Sequence, residues 1–139
     1  MVHALEEIRR TLVSGGILID LRPLADRWPV EVVTGGQIHV MGCVTDLPTG
    51  LADDESANNA IAESARRGWF IREEEEFFPA YLYWDNPDEM STYISERWAD
   101  FVKLEEDTLR ATKILWDTAG DEKGMRIRLK MLLTRWRKK

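Results

Sequence analysis

One cysteine, two histidines and no long apolar run leave several kinds of chemistry without residues to carry them. The lone Cys43 excludes an intramolecular disulfide and a multi-thiolate metal site, which fits a reducing cytoplasm. His3 sits at the amino terminus, so a histidine-based metal site would need His39 together with Cys43 or a distant carboxylate. A surface or structural role is the expectation for both imidazoles. No serine lies in a Gly-x-Ser-x-Gly elbow, and no Ser-His-Asp arrangement can be drawn. No stretch approaches the roughly 18 apolar residues of a membrane span, and Glu6 and Glu7 stand where an export signal would carry basic residues. The expectation is a soluble cytoplasmic protein that does not enter the membrane.

Positive charge is also in short supply. Against 25 acidic side chains stand 19 basic ones, a net charge of -6 that opposes attraction to nucleic acid or an anionic surface. Eight of the basic residues fall after residue 120, so a basic tail complements an acidic body. With 139 residues, 44% of them hydrophobic, the chain is long enough for one core, and residues 1–139 are expected to form a single domain.

Leu5, Ile8 and Leu12 share one face of a helix over Ala4 to Val13, which Ser14-Gly15-Gly16 closes. Ile17 to Leu21 then reads as a strand buried on both faces, stopped by Pro23. Val30 to Val33 and Gln37 to Val44 flank Thr34-Gly35-Gly36 as a hairpin. Leu47 to Asp54 reads as a loop and Ser56 to Arg67 as a helix. Phe70 to Trp84 is an aromatic-rich strand carrying four consecutive glutamates, Glu73 to Glu76. Asn86-Pro87-Asp88-Glu89 starts a helix, with Asn86 as cap and Pro87 at the first helical position. Its apolar stripe runs from Met90 to Trp116, too long for one helix without a break near residues 99–106. Beyond the turn at Gly120 to Gly124, residues 125–135 alternate as a closing strand, expected to pair antiparallel with Phe70 to Trp84 and to place Arg126, Arg128 and Lys130 beside the glutamates.

The opening run Leu12-Val13-Ser14-Gly15-Gly16-Ile17-Leu18-Ile19-Asp20, followed by the aromatic strand, the capped helix and the closing strand, resembles the carboxy-terminal part of class I, Rossmann-like S-adenosylmethionine-dependent methyltransferases. The resemblance covers nearly the whole chain. It implies an α/β fold: a partial Rossmann-like mixed sheet with antiparallel last strands and flanking helices, the final strand inserted between its two predecessors. The family's cofactor loop is a glycine turn that follows a strand and opens a helix. Gly15-Gly16 precedes its strand, and Gly35-Gly36 has the same defect. No cofactor-binding, catalytic or metal-binding residue is therefore assigned, and S-adenosylmethionine is expected only if a missing half completes the site.

These readings make the chain a noncatalytic or partner-dependent methyltransferase-like module, self-associating or joined by a separate polypeptide supplying the front half. The edge of Ile17 to Leu21 is expected to lack a strand neighbour. Two alternatives stand beside this reading: a methyltransferase fragment completed in trans, and a small-ligand-binding dimer. Trp28, Phe77, Phe78, Tyr81 and Trp84 are the candidate substrate or ligand contacts.

Overall fold

The computed structural model describes residues 2–139. In chain order it contains α1 (Val2–Thr11), β1 (Ile17–Leu24), β2 (Pro29–Thr34), β3 (Gln37–Asp46), α2 (Pro48–Arg66), β4 (Phe70–Trp84), α3 (Pro87–Arg97), β5 (Val102–Leu104), α4 (Glu106–Thr118) and β6 (Lys123–Lys138). This is a mixed α/β fold with a largely antiparallel sheet flanked by helices. None of the helices is long and apolar enough to cross a membrane, among the described residues. The chain divides into two compact units, and β4 and β6 each contribute to both.

The first unit comprises the segment ending at Leu24 together with Ala52–Phe78 and Met131–Lys139. Gly15, at a φ of 74°, turns the chain from α1 into β1. Its N–H donates to the Lys138 carbonyl at 3.1 Å, and the Lys138 N–H donates to the Gly16 carbonyl at 2.8 Å. Four residues further along β1, Asp20 meets Thr134, so β1 and β6 run antiparallel. On the other side of β6, the Lys139 N–H reaches the Trp69 carbonyl, while Glu73 pairs with Arg135. β6 thus lies antiparallel between β1 and β4, which are parallel to each other. The core of this unit is built from Ala60, Ser64, Phe70, Leu132, Thr134 and Trp136.

β1 departs from the expectation of burial on both faces: Ile19 is 51% exposed and Leu21 55%. Side chains alternate along a strand, and the face turned inward is the one carrying Asp20 and Arg22. Because β1 ends its strand path, Pro23 can stay within the strand, where a missing N–H costs no ladder bond on a free edge.

The second unit comprises Ala25–Leu51 and Pro79–Lys130. β2 and β3 form the expected hairpin, with Thr34 opposite Gln37 and both turn glycines at positive φ, 55° and 74°. β2 pairs antiparallel with β6, and β3 with the short β5, giving the order β6-β2-β3-β5. Val30, Val32, Val44, Met90, Ile94, Val102, Met125 and Ile127 fill the core. Asn86 caps α3 as expected, its side-chain oxygen accepting the Glu89 N–H at 2.9 Å. The predicted break in the long apolar stripe is a strand, β5, between α3 and α4.

The expected loop at Leu47 to Asp54 is instead the start of α2. Pro48 stands at the first helical position, where its lack of a donor is harmless. Gly50 is needed there because a Cβ would come within 2.8 Å of the Phe101 carbonyl oxygen, which also accepts the Leu47 N–H.

Candidate functional site

Three side-chain clusters carry the polar and aromatic chemistry, one in the first unit and two in the second. In the second unit the indole of Trp98, at the end of α3, is a hub. Trp28 meets it edge-on with ring centroids 5.7 Å apart, Trp84 at 6.2 Å and Tyr93 at 5.2 Å, all near-perpendicular pairs of the kind aromatic quadrupoles favour. Trp84 and Tyr93 also touch, at 5.6 Å. Trp28 and Trp84, two of the five candidate contacts, are thus brought together through Trp98.

Tyr81 belongs to a different cluster of the same unit. The guanidinium of Arg126 lies 4.2 Å from its ring centroid. Arg126 also donates to Glu31 Oε2 at 2.7 Å, and Arg128 donates to Glu31 Oε1 at 2.8 Å. Glu31 is buried, with a side chain only 3% exposed, so both carboxylate oxygens are satisfied by arginine within the sheet. Burial opposes the charge of Arg126, but its bonds to Glu31 and Tyr83 outweigh that and hold its pKa above the usual value. A carboxylate buried to this degree, with a guanidinium on each oxygen, is not presented to a substrate. Its chemistry is that of a structural ion triad.

Phe77 and Phe78 fall in the first unit, on β4, where Phe77 is 53% exposed and Phe78 half-buried. Of the five candidate contacts, Trp28, Tyr81 and Trp84 thus belong to the second unit and Phe77 and Phe78 to the first. Nor do any of them line the surface depression of the first unit formed by Val2, Ser56, Asn59, Glu63 and Arg66.

The polar cluster of the first unit centres on Arg22. It donates to Asn58 at 2.6 Å and to Asp20 at 3.4 Å, and Thr134 donates to Asp20 while accepting from the Trp136 indole at 2.8 Å. The Nη1 of Arg22 is buried and makes no hydrogen bond, but it forms an ion pair with the Asp54 carboxylate at 3.9 Å.

The glutamate run does not meet the arginines expected for it. Glu73 is paired with Arg135 and Arg137, which hold its carboxyl below the usual range, Arg137 contributing most. Arg126 and Arg128 go to Glu31, and Lys130 to Asp26 at 3.2 Å. The two long strands pair antiparallel, as expected. Their register differs from the expected one: Lys139 bonds to Trp69, which sets the tail arginines of β6, itself continuing to Lys138, opposite Glu73.

No protein-family model, curated protein or solved structure matches the chain. The site must therefore be read from its own residues. No group of three or more His, Cys, Asp or Glu side chains is placed to hold a metal ion, among the described residues. His3 pairs with Glu6 on the surface of α1, and His39 is half-buried on β3. Glu31, Tyr83, Tyr93 and Trp98 were not singled out as site residues. Alternation along β2 and β6 could have placed Glu31 opposite an arginine, but only once the two strands were known to pair.

Proposed function

We propose that the chain is a methyltransferase-like module that works by assembly with further protein, in the first instance a second copy of itself, and that it transfers no methyl group alone. The observation that carries the noncatalytic part is the make-up of the strand-to-helix junctions. Among the described residues there are three, namely Leu47 between β3 and α2, Asp85-Asn86 between β4 and α3, and Glu105 between β5 and α4. None of these linking residues is glycine, and Gly50, in the first turn of α2, is taken up by its close approach to the Phe101 carbonyl. A nucleotide-type cofactor needs a junction of this kind whose backbone can approach it closely and present N–H groups at a helix start.

The methyltransferase likeness is supported by the first unit. There β6 runs antiparallel between the parallel strands β1 and β4, the order that the resemblance implies for the last three strands of that fold. Assembly is supported by apolar side chains left in water on this unit: Ile19, Leu21, Ile71 and Phe77 are each about half exposed, with values of 51%, 55%, 48% and 53%.

Titration calorimetry with S-adenosylmethionine tests the reading. No heat of binding is expected from the isolated chain. A one-to-one dissociation constant below about 100 μM, roughly -5.5 kcal/mol, would favour the rival in which this chain is part of a working methyltransferase.

A further inference from the structure

We propose that the free edge of β1 is the contact through which two copies of this chain pair, antiparallel about a two-fold axis at Leu21; the inference rests on the self-association reading above. Gly16 accepts a hydrogen bond from Lys138 on β6, so by alternation the even-numbered residues of β1 turn their backbone groups toward β6. Ile17, Ile19 and Leu21 then turn their N–H and C=O groups to the open edge. Pro23, with no N–H, falls on the same side.

The occupant follows from charge and register. In an antiparallel pair centred on Leu21, Leu21 faces Leu21, Ile19 faces Pro23 and Leu18 faces Leu24. Asp20 of each copy faces Arg22 of the other, twice over. Opposite charges directly across strands are favourable, and this reciprocity arises only when the incoming strand is β1 itself. Ile19 and Leu21 of each copy supply donors, and Leu21 and Pro23 of the other supply acceptors.

The competing edge of the first unit is closed by charge. β4 carries Glu73 to Glu76 in succession, and pairing two such strands at this run would oppose carboxylate to carboxylate. In β1 the only charged side chains, Asp20 and Arg22, are turned inward, 21% and 15% exposed. Nothing on its outer edge repels a second copy.

The test places a cysteine at the axis. In a Cys43→Ser background, Leu21→Cys should give a disulfide-linked dimer under mild oxidation, because residues facing each other across such a pair have Cα atoms about 5.5 Å apart, within disulfide range. Ile114→Cys, on the exposed surface of α4, serves as the control and should cross-link at least tenfold more slowly. A companion variant, Leu21→Pro, removes the central donor and should halve the mass in solution. If the chain is dimeric but Leu21→Cys cross-links no faster than Ile114→Cys, β1 pairing is wrong while self-association survives. If the unmodified chain runs at 16.1 kDa, self-association itself is wrong.

Discussion

Glu31 and Arg126 stand directly opposite each other in the β2–β6 pair, and the carboxylate Oε2 accepts the Arg126 Nε–H at 2.7 Å. The pair sits beside a β-bulge between Val30 and Glu31, where the hairpin register shifts. Removing the carboxylate alone leaves a largely buried guanidinium without its counter-charge. Glu31→Ala is expected to cost about 3 kcal/mol in urea denaturation. Replacing both partners, Glu31→Leu with Arg126→Met, should recover most of that loss. Additive losses in the double-mutant cycle would show that the two residues are not energetically coupled.

Gly42 marks the other side of the same bulge. Its φ is 151°, and a Cβ there would come within 2.3 Å of the Thr108 Oγ1 on α4. Gly42→Ala therefore meets both an unfavourable backbone conformation and a steric overlap, with an expected cost of about 2 kcal/mol. Thr108→Ala should relieve only the overlap, leaving the backbone part. Thermal melts of the two single variants and the pair would separate these contributions; an unchanged melting temperature for Gly42→Ala would contradict the packing described.

Acid sensitivity should have an identifiable source on α2. Glu63 is bonded to Arg66 and Arg67 at 2.7 and 2.6 Å, which lowers its pKa from 4.5 to about 2. A carboxylate whose folded pKa is depressed contributes stability above its unfolded value and loses it as pH falls through the folded one. The contribution of Glu63 should thus be complete at neutral pH and vanish between about 4.5 and 2. Glu63→Gln should show a smaller drop in denaturation midpoint between pH 7 and pH 2 than the parent chain. An identical drop would mean that the pair does not bear on folding.

Local signals were read well from the sequence, and long-range ones poorly. Asn86-Pro87 and Gly35-Gly36 carry their structural meaning within a few residues, and both the helix cap and the hairpin turn appear where expected. Pro48 carried the same kind of signal, as a first helical residue, but Gly50 made the segment resemble a loop. The close approach to Phe101 that explains Gly50 joins residues distant in sequence. The inward face of β1 was misjudged for a similar reason. An apolar run suggests burial on both sides, whereas the inward face carries Arg22, bonded to Asn58 on α2 and to Asp20, and Ile19 and Leu21 on the other face are exposed. The candidate ligand contacts were chosen as aromatics. Trp28 and Trp84 meet through Trp98 while Tyr81 stacks with Arg126, because aromatic character says nothing about which strand register will bring the rings together.

The claim at the centre of this account is that the chain functions as an assembly unit. Sedimentation equilibrium across a range from low to high micromolar concentration measures this most directly. The expected result is a mass approaching twice 16.1 kDa, with a dissociation that Leu21→Pro promotes. A single species of 16.1 kDa at every concentration would contradict it.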